Sequence, residues 1–408
     1  MPDGRPFFAL MELWRRNLYS LWFAQFIAAA GLSMFIPFLP FYLRELGVVE
    51  KEAVKIWSGF IFAAPFMVAA CLQPIWGILG DRHGRKPMVV RAMLGLALAN
   101  FLMGFAQSAP QLLILRFFQG SLSGFVAPSL ALMASCTPRE KIGQALGTLQ
   151  SALVTGMILG PLLGGVLSHF MGYRPLFFWT GFFCLSGAFI VIRLVKEEFV
   201  RREKEKKSGL REHLHHVFNS PELRVMLVLS TLVQSSIVIV APFLSLYVEY
   251  LKVSPDYIGL ITGVVFGIAG VANAITAPLW GKRADRVGYR KILRLSLAGL
   301  TVFTLPQALV GNVYQLLFLR AGLGGFASGV IPTINTIVQR STPEKDRGGI
   351  YGIFQSGLLL GNVGGPLIGG FLAASLGLRA IFLITAGIFG LALLWERRAG
   401  GGSQLNGK

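Results

Sequence analysis

The sequence predicts an all-α integral membrane protein of twelve transmembrane helices arranged as two homologous six-helix bundles. Three observations carry this. The composition, 54% hydrophobic and 14% charged with a mean hydropathy of +0.62, lies outside the range of soluble domains, which hold about 25% charged residues. The apolar residues gather in twelve runs, each near the roughly 20 residues that cross a bilayer as a helix. The chain also repeats itself: GILGDRHGRK from Gly77 returns as GKRADRVGYR from Gly281, displaced by 204 positions in a chain of 408. A displacement of half the length marks an internal duplication.

The first run follows Arg15 and Arg16 and covers 18–43, too long for a cleavable signal core, so it is read as helix 1. Runs at 56–79, 88–107, 111–135, 142–170 and 173–195 complete a first bundle over 1–195. A charged linker over 196–221 leads to a second bundle over 222–408, with runs at 223–249, 256–280, 291–310, 313–338, 348–375 and 378–395. The halves align along most of their length. Pro37 and Phe38 match Pro242 and Phe243; Trp76 matches Trp280; Arg116 matches Arg320; Gln150, Gly160, Pro161, Gly164 and Gly165 match Gln355, Gly365, Pro366, Gly369 and Gly370. Parallel six-helix repeats are a transporter plan, with the site at the midplane between the repeats.

Lys and Arg set the expected orientation. Alternate connections hold 30 of them on one side and six on the other (Arg44, Lys51, Lys55, Arg174, Lys252 and Arg379), while Arg116 and Arg320 fall inside spans. Cytoplasmic loops hold the excess, so both termini are expected in the cytoplasm. The net charge of +19 belongs to these loops and lacks the aromatic interleaving that single strands need, so nucleic acid is not an expected partner. Cys71, Cys136 and Cys184 fit neither a metal nor a disulfide spacing. His213, His215 and His216 belong to a solvated linker, and no metal site is expected there. The C-terminal GSQLNGK lacks the hydroxyl residue and the strand-to-helix setting of a phosphate loop. With no nucleophile-base pair in view, an enzyme is not expected, nor is a cofactor.

Several residues have a mechanical reading of their own. Gly77 and Gly84 permit a tight turn and close helix approach, and Asp81 with Arg82, Arg85 and Lys86 can form a charge cluster at the membrane boundary. Gly156, Gly160 and Gly164 stand at i, i+4 and i+8, a face bare enough for a neighbouring helix to come close. Pro161 removes a backbone hydrogen bond to the Met157 carbonyl and bends the span. Helix 11 repeats the device with Gly361, Gly365, Pro366 and Gly369. Arg116 and Arg320, charged within the membrane, are functional candidates, with snorkelling as the competing explanation. For a cavity lining the polar and aromatic candidates are Gln25, Phe38, Gln150, Gln234, Phe243, Gln355 and Asn362; each could instead serve helix packing.

On three patterns the chain resembles the major facilitator superfamily: GILGDRHGRK between helices 2 and 3, Arg116 with Gly120 in helix 4, and GMILGPLLGG from Gly156 to Gly165 in helix 5. The resemblance covers nearly the whole chain and is greatest to the drug:proton antiporter branch and its bacterial multidrug-resistance exporters. It implies a monomeric exporter of diverse amphipathic small molecules in exchange for protons, working by alternating access in the bacterial cytoplasmic (inner) membrane. It also implies that Gly77, Asp81, Arg82, Gly84 and Arg85, with Asp285 and Arg286 of the second copy, form a conformational latch, Asp81 facing a helix terminus of the other half. Antiporters of this branch often carry an acid inside the first half. Here all 19 acidic residues fall in loops, tails or span ends, so Glu249, at the end of helix 7, is nominated for proton exchange, with Arg116 and Arg320 as coupling residues. Two other readings remain open. One is movement of a lipid or lipid-like anion, because the spans hold two arginines and no well-buried acid. The other is a receptor or scaffold without transport, against which the duplicated Gly-Pro devices count.

Overall fold

The computed structural model describes residues 12–197, 210–343 and 346–401, and their regular structure is helical throughout. The helices are α1 (Leu13–Glu45), α2 (Lys51–His83), α3 (Arg85–Gly104), α4 (Ala109–Cys136), α5 (Ile142–Met171), α6 (Pro175–Leu194), α7 (Pro221–Tyr250) and α8 (Pro255–Val287). There follow α9 (Tyr289–Thr304), α10 (Val313–Arg340), α11 (Arg347–Leu376) and α12 (Leu378–Arg398). Among the described residues, 11 helices are long and apolar enough to cross a membrane. The twelfth, α9, has 16 residues and is extended by a 3-10 turn, Leu305–Ala308, where Pro306 offers no N–H to continue an α-helix.

The duplication is visible in local chemistry. Ser108 caps α4 by accepting from the Gln111 N–H, and Gln111 reaches back to the Gln107 N–H at 2.9 Å. Asn312 and Gln315 do the same for α10, with Gln315 on the Gly311 N–H at 2.9 Å. Each pair satisfies helix-start donors that would otherwise lack acceptors. Trp76 donates to the Ser121 carbonyl at 2.9 Å, and Trp280 to the Gly325 carbonyl at 2.6 Å. In each half the first and fourth helices are interrupted: α1 by a 3-10 turn at Ile36–Phe38, α7 by one at Ala241–Phe243, α4 around Gly124 at φ +103°, and α10 at Ser328 and Gly329. Pro37 and Pro242 account for two of these breaks.

By contact the chain forms two compact units, residues 1–36 with 68–203, and residues 37–67 with 204–408. The boundary runs through α1 at its break and through α2. In the first unit α1 packs on α5 and α6, and α3 on α6, around Leu21, Ala24, Met93, Leu149 and Cys184. In the second, α7 packs on α11 and α12, and α9 on α12, around Met226, Leu229, Leu297 and Phe389. The same partners recur, shifted by six helices.

In each bundle a carboxylate ties the third helix to the sixth, and a residue of the first helix joins it. In the first unit the Glu197 carboxylate, just past α6, accepts from the Arg85 and Lys86 N–H groups at 2.8 Å each. A carboxylate at a helix start both fills orphan donors and meets the positive end of the helix dipole. Beside it, buried Asn17 exchanges two hydrogen bonds with the Lys196 backbone, at 2.7 and 2.9 Å. In the second unit Glu396, at the end of α12, is held by Arg290 at 3.4 Å and by Arg294. Glu222 joins the same cluster, 2.6 Å from Arg290. Glu396 corrects one expectation: its side chain is fully buried, although no acid was expected to be. Its two arginines explain how α12 carries a charge there, since a buried carboxylate needs partners.

Residues 198–209 of the linker and 402–408 of the C-terminal tail lie outside the described residues, so the GSQLNGK stretch is not described. The linker ends in a short helix, Leu210–Asn219. Its histidines diverge: His213 is buried 3.6 Å from Asp346, whereas His215 contacts Asn219.

Candidate functional site

The glycine stripe of α5 is a contact face. A Cβ at Gly156 would lie 2.7 Å from the Phe26 carbonyl oxygen and 2.8 Å from the Ala29 Cβ. One at Gly160 would overlap the Ser33 hydroxyl and the Ala30 carbonyl. Gly164, Gly165 and Pro161 are also buried. In α11 the pattern returns against α7: Gly361 faces the Thr231 carbonyl at 3.0 Å, Gly365 that of Ser235 at 2.6 Å, and Gly369 that of Ile239 at 2.8 Å. In both halves the fifth helix therefore lies against the backbone of the first, a distance that only glycine allows.

The GILGDRHGRK stretch is not an extended loop. α2 runs through Asp81 to His83, and α3 begins at Arg85, with Gly84 between them at φ +96°. Gly84 thus meets the expected turn, because L side chains rarely take that conformation. Gly77 lies inside α2, and among the described residues nothing comes within 4 Å of where its Cβ would be. Asp81 is more than half exposed and pairs with Arg85 at 3.0 Å, one helical turn on. Its counterpart Asp285 bonds the Tyr289 hydroxyl, which Arg340 also meets at 3.3 Å. Arg82 is exposed, as is Arg286. An exposed ion pair contributes about 0–1 kcal/mol to stability. Asp81→Asn is accordingly expected to leave membrane-inserted protein near the wild-type amount while transport falls several-fold, and Asp285→Asn is expected to be milder. Equal transport by Asp81→Asn and wild type would leave only charge anchoring as the function of this stretch.

Arg116 does not snorkel. It is 3% exposed, donates to Gln119 Oε1 at 2.7 Å and lies over the Phe35 ring at 5.2 Å. The aromatic face and the amide together replace part of its lost hydration. Arg320 is buried as well, and its Nε has no hydrogen-bond partner among the described residues. Of the nominated lining residues, Gln234 and Asn362 form one group, bonded at 2.8 Å between α7 and α11. Gln150 and Gln355 are exposed at matching places in α5 and α11. Phe38 and Phe243 line no open surface; both are buried, in the 3-10 turns that interrupt α1 and α7. Gln25 is fully buried, and neither of its amide atoms has a hydrogen-bond partner among the described residues. A buried amide left unpaired is costly, which keeps Gln25 a candidate for a polar ligand group.

Glu249 is where sequence reading fell short. Its carboxylate is gripped by Arg44 in a two-point pair of 2.7 and 2.9 Å, with both side chains partly exposed. The geometry is the planar fork that makes Arg-carboxylate pairs strong. In the sequence Arg44 stands out only as one of six basic residues on the basic-poor side. A signal was present: Arg44 and Glu249 stand 205 positions apart, the same displacement as Pro37 to Pro242. Nearby, α2 lies on α11 through Gly59, whose Cβ would be 2.5 Å from the Pro366 carbonyl oxygen. Gln119 and Ser33 were also missed, although Gln119 stands one helical turn from Arg116.

Two repeated six-helix sets, each with interrupted first and fourth helices and a glycine-sealed fifth, define a secondary transporter built from parallel repeats. The chain belongs to the Major Facilitator Superfamily, whose family model matches residues 21–240 and again 226–401. It is 38% identical over 385 residues to the multidrug resistance protein MdtG of Proteus mirabilis, covering 94% of this chain and 96% of that one. To MdtG of Salmonella typhimurium it is 39% identical over 379 residues, covering 92% and 93%. Among solved structures, the nucleoside transporter NupG matches with a TM-score of 0.78 at 12% identity, over 95% of this chain and 99% of that one. The human organic anion transporter MFSD10 matches with a TM-score of 0.69 at 18% identity, over 95% and 100%. At these identities the structures speak for the fold alone.

Proposed function

We propose that this multi-pass membrane protein exports chemically diverse amphipathic small molecules in exchange for protons, by alternating access. The observation that carries the reading is similarity of 38% over nearly the full length of a multidrug resistance protein, a span that includes both copies of the latch and both glycine stripes. In this cycle α1 with α5, and α7 with α11, move as rigid pairs, because their backbones touch. Asp81 and Arg85 work at one membrane face and Arg44 with Glu249 at the other. A proton on Glu249 would remove the charge that Arg44 grips, so proton uptake and release of this pair become one event. Proteoliposomes with an imposed pH gradient test the reading with cationic dyes, anionic drugs and labelled lipids. Concentrative dye movement supports it. Lipid movement alone would replace it with a lipid or lipid-like anion transporter, and no movement across the panel with a receptor or scaffold.

The 30-to-6 distribution of basic residues supports an orientation with both termini in the cytoplasm. The glycines at the turns, Gly84, Gly172, Gly288 and Gly377, all have positive φ, so reporter cysteines belong on their exposed neighbours. In a background without Cys71, Cys136 and Cys184, an impermeant maleimide applied to intact cells is expected to label Met171→Cys and Leu376→Cys. It is expected to spare His83→Cys and Val287→Cys until the membrane is opened. The reverse pattern would invert the orientation.

A further inference from the structure

Excluded from one membrane face by topology, basic residues there are few. Four of those six nevertheless converge. Arg44, Lys51, Lys55 and Arg379 line a single cavity of about 580 Å³ with Glu249 and Tyr250, all of them residues of the second compact unit. Lys55 is mostly buried and meets Glu52 at 3.8 Å; Arg379 lies over the Tyr250 ring at 5.3 Å. Among the described residues, neither Lys51 nor Arg379 has a carboxylate partner. Counting Glu52 with Glu249, four cations face two carboxylates, and like charges held this close repel unless an anion joins them. Lys51 opens α2 and Gly377 precedes α12, so two helix starts add to the positive field.

We infer that this cavity is an outer binding site for a phosphate group, and that the bound group shares Arg44 with Glu249. Arg44 presents a fork able to serve two oxyanions, while Lys51 and Arg379 supply charge that no protein carboxylate takes up. The ligand would thereby bear on the same pair that holds α1 to α7. The inference rests on the exporter reading only for the side from which the ligand arrives. Binding is measured without transport, so the two can fail separately.

The full-length protein in phosphatidylcholine nanodiscs is titrated with inorganic phosphate, and separately prepared with increasing phosphatidylglycerol, following the thermal unfolding midpoint. A ligand bound by the folded state raises the midpoint with concentration. The Lys51→Gln/Arg379→Gln double variant is expected to need at least tenfold more of the effective ligand, because both side chains are exposed and, among the described residues, neither is held by a carboxylate, so their loss leaves the fold intact. Lys252→Gln, on the same face but outside the cavity, is expected to match wild type, and added salt to weaken the response. A midpoint raised by inorganic phosphate identifies a soluble anion as ligand; one raised by phosphatidylglycerol alone identifies a lipid headgroup. Equal responses of wild type and double variant, or no response to either probe, would overturn the site.

Discussion

Gly160→Leu is expected to abolish transport, whereas Leu159→Ala retains most of it. The site of the added side chain is already occupied by the Ser33 hydroxyl and the Ala30 carbonyl of α1, and a carbonyl in a helix cannot swing aside as a side-chain tip can. Overpacking costs about 1–3 kcal/mol even where side chains can adjust. Borne by the barrier between conformations, that alone slows the cycle about 5- to 150-fold. Leu159 points elsewhere and is 38% exposed, so its truncation leaves no sealed cavity. Gly365→Leu is expected to behave like Gly160→Leu, since the Ser235 carbonyl waits at 2.6 Å. Dye efflux, scaled to monodisperse protein by size-exclusion chromatography, separates lost function from lost folding. Gly160→Ala gives a graded intermediate where the leucine variant is not recovered. Wild-type efflux by Gly160→Leu would show that α1 and α5 need not touch.

The second large effect is expected at Glu249. Glu249→Gln is expected to reduce pH-driven accumulation at least tenfold while downhill exchange stays measurable. Both partners of the pair are partly exposed, so solvent screening limits what its loss costs the fold even with two-point geometry, and recovery of monodisperse variant by size-exclusion chromatography separates a functional defect from instability. Arg44→Gln separates two roles. If Glu249 works through its grip on Arg44, this variant loses coupling as well, and the exchanged pair Arg44→Glu/Glu249→Arg recovers part of it. If the carboxylate itself carries the proton, the exchange recovers nothing. Concentrative efflux by Glu249→Gln with an unchanged pH dependence would remove Glu249 from the coupling scheme.

What could be read from the letters follows from how local each feature is. The spans depend on hydropathy, the duplication on self-alignment, and the glycine stripes on a four-residue period, so all three are legible in one dimension. The partner of Asp81 lies one helical turn away, and the exchange of Arg85 for Tyr289 is visible in the repeat. Glu197 was lost among linker charges because its partners are backbone N–H groups, which every residue carries and no letter marks. Glu396 likewise looks like a solvated charge at a span end; only the packing of α9 against α12 reveals its burial. Phe38 and Phe243 show the opposite error, since an aromatic at a repeated position reads equally well as lining or as filler.

The displacement of 205 between Arg44 and Glu249 has a meaning beyond detection. A residue that touches its own counterpart in a duplicated plan occupies the position that a two-fold axis would hold, as in an isologous contact between identical subunits. In a dimer of identical six-helix chains, that position presents the same side chain twice. Two arginines would repel there, and so would two glutamates. Opposite charges became available only once both copies belonged to one chain and were free to diverge. This ion pair is thus an asymmetry that fusion made possible, and no homodimer of either half could reproduce it.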